Sequence, residues 1–501
     1  MSAITEDKLA SKVSNEEGSL TDRPSMVVKT TYGFSGAVDY LIFLSFELFV
    51  LFYYTQLLGL SGFLVGIAIL ISMIFDAISD PLVGSWSDGV RSRFGRRHSL
   101  MLASVVPLAL SFYLLFSPPA GLSGTGLFLW LTVTGICMRL ALTFFSAPAS
   151  ALAAELSPNK GDRAELGIYR QVISALVQML LVYLAFSIFF KSTPEFQNGQ
   201  ENAAAYSPFA LAVLTGIIAC IAISWLGTFG RALKLEEGLT PEARPRFSFS
   251  QSIRSWIDVL VGLKNFRAIF FGLLFASLMG SCYRSLNLHL GTYLWTLKPE
   301  QIGDWQQVFL IGMFTMAIAT RFIINRVEAK HAYLFGYCLL LLGYGLPSTL
   351  TLLGVLAPAG SQELVMSLYA FNATAGAGAG LLMVCSLIMF SETTDEYRFV
   401  NLVSRTGMIF GLVTFGNKAA SGLGKLLSGW SLDLLDFPVP ATAEAMTPAL
   451  LNNLALVVVV VVFSLGGIGL AFLSTYHLPR ERHEEIVEGI RVSSLAARST
   501  S

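Results

Sequence analysis

Charge is scarce in this sequence. Lys, Arg, Asp and Glu together make up 13% of its 501 residues, whereas a soluble domain carries about a quarter. With 54% hydrophobic residues and a mean hydropathy of +0.64, that shortage excludes an ordinary soluble domain and fits a chain that lives in a bilayer. Net charge is missing too. The 33 basic and 33 acidic residues balance, so nothing calls for nucleic acid as a partner. Cysteine is sparse: Cys137, Cys220, Cys282, Cys338 and Cys385 all lie inside apolar stretches, without metal-ligand spacing. They read as small hydrophobes, not as a disulfide framework. His98, His289, His331, His477 and His483 form no metal or catalytic pattern, and His289 reads as a polar spot in a helix. No nucleotide-binding loop and no nucleophile elbow occurs, so neither an enzyme nor a cofactor is expected. The first 30 residues are polar and lack the apolar core of a cleavable signal.

Long apolar runs are what the sequence does have. A bilayer crossing takes about 20 residues. Such runs occur near 35–59, 63–87, 98–117, 124–154, 165–190 and 206–230, and again near 268–296, 304–325, 333–357, 363–391, 405–432 and 449–476. This predicts an all-α membrane protein of twelve spans in two six-helix bundles, 31–230 and 268–478. A disordered N-terminal segment (1–30) and a tail (479–501) flank them. The linker, 231–267, holds LEEGLTPEARPRF and then Ile253, Trp256, Ile257, Leu260 and Val261 on one helical face. That face suits an amphipathic helix in the membrane interface, or else a lead-in turn to the seventh span. Eighteen basic residues fall in the five loops of one side, against Lys191 and Lys298 in the six of the other. Basic loops stay cytoplasmic, so both termini are expected inside, in a multi-pass plasma-membrane protein. Two six-helix halves around a cytoplasmic linker are the architecture of a major facilitator carrier, with its site near the midplane.

Charges inside the spans then become informative. The acids are Asp39 and Glu47 in the first span and Asp76 and Asp80 in the second; the bases are Arg139, Arg170, Arg284, Lys418 and Lys425. An isolated charge there costs roughly 3 kcal/mol on insertion scales, so each needs a partner or a wet cavity. Asp76 and Asp80 are one turn apart and share a face. Their repulsion is relieved by a bound cation or a proton, or by structural ion pairs with neighbouring bases.

The stretch DAISDPLVGSWSDGVRSRFGRRH (76–98) resembles the second-helix signature of the glycoside–pentoside–hexuronide:cation symporters, the group of the melibiose carrier and of lysophospholipid-carrying relatives. The resemblance recurs in APASALAAELSPNKGDRAELGIYRQ, FSETTDEYRF and GNKAASGLGKLLSGWSLDLLDF. It implies a cation site of Asp76 and Asp80 completed by Thr143, with Ser79 where an asparagine is common. It also places Asp39 and Arg170 at sugar hydroxyls and Lys418 beside the cation site; a snorkelling lysine is the other reading of Lys418. Two positions depart from the sugar carriers: Ser146 replaces an acid and Ser150 a tryptophan. A sugar or glycoside-like solute is therefore expected, with an organic anion or lysophospholipid-like amphiphile held by Arg170 as the alternative. A non-transporting membrane sensor is a distant third.

Met73 stands where sugar carriers often have an arginine. Arg139, one turn before Thr143, is expected either to supply that charge from the fourth span or to pair elsewhere, for example with Glu47. The segment after the second span resembles the latch loop of major facilitators, with Gly84 for close packing, Asp88 at the helix end, and Arg96 and Arg97 pairing with Glu155, Asp395 or Glu396. TAGAGAGL (374–381) reads as close helix packing or as a hinge. The expected partners are a small solute, Na+ or H+ as coupling cation, and the lipid bilayer, the chain acting as a monomer.

Overall fold

A computed structural model describes residues 23–87, 89–90, 92–236, 249–401, 406–439, 441 and 445–499. In a bilayer every backbone N–H and C=O must be satisfied internally, and the apolar runs comply by forming helices. The first half holds α1 (Met26–Phe52), α2 (Gly62–Ser87), α3 (Arg96–Leu115), α4 (Thr125–Leu156), α5 (Lys160–Leu184) and α6 (Tyr206–Glu236). A separate linker helix, α7 (Phe249–Gly262), follows. The second half holds α8 (Lys264–His289), α9 (Pro299–Ile323), α10 (Ala329–Leu352), α11 (Gln362–Asn401), α12 (Thr406–Leu434) and α13 (Pro448–Ser474), and the tail helix is α14 (Arg480–Ser499).

Among the described residues, eleven helices are long and apolar enough to cross a membrane by length and composition. The twelfth, α12, carries Lys418, Lys425 and Asp433 and packs between α2 and α8. Its charges lower its hydropathy because it faces protein.

Helix ends differ from the apolar runs where polar residues continue a helix beyond the hydrocarbon. Met26 starts α1, capped by Ser25 and tied by a Lys29–Glu165 ion pair, so helix already occupies residues 26–30. Similarly, α11 runs on to Asn401. Residues 1–22 and 237–248 lie outside the described chain. The linker pattern resolves to a helix, not a turn: Leu263, in extended conformation, separates α7 from α8. Trp256 packs on Phe415 while Ile257 and Val261 stay exposed.

The glycine run of α11 lies in an unbroken helix. A Cβ at Gly376 or Gly380 would strike the carbonyls of Phe309 and Met313 on α9. Close packing accounts for these residues.

The halves meet along three pairs: α1 with α8, α2 with α12, and α5 with α9. At one end they are clasped. The Asp433 carboxylate accepts from Ser61 Oγ at 2.5 Å and from the backbone N–H groups of Gly62 and Phe63 at 2.7 and 2.9 Å. These are free donors of the first turn of α2. Nearby, Gly62 and Gly429 touch backbone to backbone, and Gln200 Nε2 donates to Thr292 Oγ1 at 2.8 Å. At the opposite end, among the described residues, Arg96 and Arg97 pair with Glu155, and His483 with Asp395, each within its own half. A cavity of about 520 Å³ opens there, lined by Ala77, Asp80, Trp256, Phe415 and Lys418.

Candidate cation and substrate site

Five helices, α1, α2, α4, α5 and α12, bring intramembrane charges to a cavity of about 800 Å³ between the halves. On α2, Asp76 is 3% exposed and Asp80 lies one turn nearer the open end. Pro81 follows; lacking an N–H, it leaves the Ala77 carbonyl without its helical donor, one residue from Asp76. From α4, the Thr143 hydroxyl lies 3.1 Å from Asp76 Oδ1 and 3.0 Å from Asp80 Oδ1. Ser79 Oγ is 3.3 Å from Thr143 Oγ1 and donates to the Asp76 carbonyl at 3.1 Å. Lys418 of α12 sets its ammonium between the two carboxylates, 2.8 Å from Asp76 Oδ2 and in close contact with Asp80 Oδ2. Arg139 Nη1 is 3.7 Å from Asp76 Oδ2, with its guanidinium carbon 4.8 Å over the Phe46 ring. The four residues implied as the cation site thus lie together. Of the two pairings open to Arg139, the geometry contains the one with Asp76. Lys418 points inward and does not snorkel.

The substrate candidates form a second group, of which Asp39, Arg170 and Ser146 line the same cavity. Arg170 Nη2 of α5 binds Asp39 Oδ2 of α1 at 2.8 Å, and its Nη1 donates to Ser150 Oγ at 3.0 Å. Ser146 donates to Asp39 Oδ1. Each serine that replaces a larger group is hydrogen-bonded to this ion pair.

Glu47 is taken by a third cluster. Lys425 binds it closely, both side chains 1% exposed, and Arg284 Nε lies 3.3 Å from Glu47 Oε1. Composition marked these three as buried charges, but nothing in the sequence paired them.

Two parts of the expected latch are not engaged in this state. Among the described residues, a Cβ at Gly84 meets nothing within 4 Å. Asp395 and Glu396 bond within the second half, to His483 at 3.1 Å and Asn265 at 3.0 Å, since the halves stand apart at this end. Glu155 does meet Arg96 at 2.5 Å and Arg97 at 2.8 Å, and Arg97 Nη1 donates to Ser87 at 2.6 Å. Asp88 lies outside the described residues.

Residues 32–480 match the family described as MFS/sugar transport protein. The chain belongs to that family. It is a membrane transporter of the major facilitator fold, not an enzyme, and its kinship is with the cation symporters. It is 25% identical over 467 residues to the uncharacterized symporter YnaJ of Bacillus subtilis, covering 92% of this chain and 94% of that protein. The isoprimeverose transporter of Lactiplantibacillus pentosus is 23% identical over 396 residues, covering 78% and 77%. A mutant form of the nucleoside transporter NupG superposes with a TM-score of 0.60 at 12% identity, over 89% of this chain and 99% of that one. That likeness concerns the fold alone.

Proposed function

We propose that this carrier couples the movement of a monovalent cation, Na+ or H+, to uptake of a small sugar- or glycoside-like solute by alternating access. The observation that carries the reading is the convergence of Asp76, Asp80 and Thr143 oxygens on one cavity wall with the Lys418 ammonium between them. Lys418 acts as a tethered counter-ion. An arriving cation displaces it from the carboxylates, and the freed ammonium turns to the cavity. Asp39, Arg170, Ser146 and Ser150 then present acceptors and donors to solute hydroxyls. By linkage, solute raises cation affinity by the factor by which cation raises solute affinity. Arg139 gives Asp76 a second counter-charge in the cation-free state. The sugar-like solute is favoured by the family match and by the isoprimeverose transporter among the relatives.

The basic loops lie at the end where the halves stand apart, so the positive-inside rule makes this an inward-open state with both termini cytoplasmic. Both halves of the site come from one chain, so a monomer in the plasma membrane suffices. On closure, Arg96 and Arg97 exchange part of their pairing with Glu155 for acids of the second half. Asp80→Asn in proteoliposomes tests the core of the reading. The expected result is loss of uphill uptake driven by a sodium or proton gradient, with solute exchange retained. Uphill uptake at the unaltered level in Asp76→Asn and Asp80→Asn would refute it.

A further inference from the structure

The intramembrane charges do not cancel evenly. Among the described residues, Asp76 and Asp80 face Lys418 and Arg139, two against two. Asp39 faces Arg170, one against one. Glu47, however, is a single carboxylate shared by Lys425 and Arg284. One unit of positive charge is left over at this third cluster. Charge in a low-dielectric bundle is held only with a partner or in a wet cavity. Lys425 is sealed, at 1% exposed, with Ser421 and Ser281 as further acceptors at 3.0 and 3.4 Å. Arg284 is 29% exposed and lines a separate cavity of about 310 Å³.

The two cavities differ in chemistry. Asp39, Asp76 and Asp80 line the larger one, whereas none of the described residues lining the smaller one is acidic. Donors gather there instead. Glu47 and Tyr344 take only part of the five N–H donors of Arg284. Gly280, one turn earlier on α8, gives the guanidinium its berth, since a Cβ there would stand 2.9 Å from Arg284 Nη1. On the same wall, Ser277 Oγ donates to Asn417 Oδ1 at 2.8 Å. That bond fixes the Asn417 amide and leaves its NH2 as a further donor. Leu273, Leu340 and Leu382 make much of the remaining wall apolar. A surplus cation, a second donor and an apolar surround suit a small, weakly hydrated monovalent anion.

We propose that Arg284 and Asn417 form a site for a small inorganic anion, chloride in the cell, which neutralises the Glu47 cluster and is distinct from the transported solute. The guanidinium supplies charge-assisted donors and the amide a neutral one. A bound chloride brings the third cluster to two against two, the balance that the other two clusters already have. The site does not depend on which solute is carried. Chloride is thereby a stabilising ligand of the carrier, because the unfolded chain has no such cluster to neutralise.

The test is chloride NMR of the purified full chain at fixed sodium concentration and pH, without organic solute, chloride being exchanged for isethionate. The protein should broaden the chloride line, bromide should reverse the broadening, and the melting temperature should be higher in chloride than in isethionate. Arg284→Gln should weaken chloride binding about tenfold, ~1.4 kcal/mol, and Arg284→Lys, which keeps the charge, should retain part of it. Arg284→Gln leaves Glu47 with Lys425, a one-to-one pair, so a folded variant is expected; its elution profile and melting curve check this. Lys425→Met removes the surplus charge without removing a group from the cavity wall, and should weaken chloride as well. Absence of bromide-sensitive broadening in the unaltered chain overturns the site. Broadening of equal strength in folded Arg284→Gln marks an adventitious ion only and overturns it too. Undiminished binding in Lys425→Met overturns the surplus charge as its cause.

Discussion

A lysine that fills the gap between two carboxylates competes with any cation that needs them. Lys418→Ala removes the competitor, so the sodium concentration giving half-maximal solute binding should fall, by about tenfold if one charge-assisted contact of ~1.4 kcal/mol is lost. A rise, or no change, would mean that Lys418 helps to build the cation site. The Glu47 cluster gives a second expectation. Glu47→Gln strands two cations in the bundle, whereas Lys425→Met leaves Glu47 with Arg284. Breaking a buried pair costs about 3–5 kcal/mol; Glu47→Gln should approach that loss and Lys425→Met should fall well below it. Equal melting temperatures for the two variants would show that charge balance does not govern this cluster. Asp76 and Asp80 were legible in the sequence because one turn of helix fixes their mutual position. Glu47, Arg284 and Lys425 were not: 237 and 378 residues separate the partners, and no local pattern encodes that meeting.

At the scale of helices, the spans were readable because hydrocarbon thickness acts residue by residue. The crossing of α2 with α12 was not, because it is set by contacts between the halves. Asp433 caps the first turn of α2 from the other half, and Gly62 and Gly429 let the two backbones touch. Any side chain at Gly429 has its Cβ inside the Gly62 carbonyl. Gly429→Leu should therefore force this end apart and favour the state open to the outside. Asp433→Ala, which removes three hydrogen bonds without adding bulk, should shift the balance the same way but less. The readout is maleimide labelling of a cysteine introduced at Ser61, compared with and without each change. Labelling that does not rise in Gly429→Leu would mean that this contact does not hold the end shut.

In the proposed cycle the two halves rock, so groups that change environment between the two states bias the motion. Glu201 is such a group at the clasped end. It sits in the loop before α6, is partly buried, and is hydrogen-bonded to Tyr293 of the second half. Burial raises its carboxyl above the ordinary range, against the opposing pull of the Tyr293 and Asn198 hydrogen bonds. Opening this end returns Glu201 to water and to its ordinary value. A raised value in the clasped state means that the clasp gains stability from the protonated form. That gain is complete below the ordinary carboxyl range and is lost as pH rises through the raised value. Acid should thus favour the inward-open state and alkali should release it. Measured without sodium, labelling at the clasped end should rise with pH across this window. Glu201→Gln is the necessary comparison: it should flatten the part of the curve that belongs to the clasp. A curve of unchanged shape would assign the pH response to groups other than Glu201.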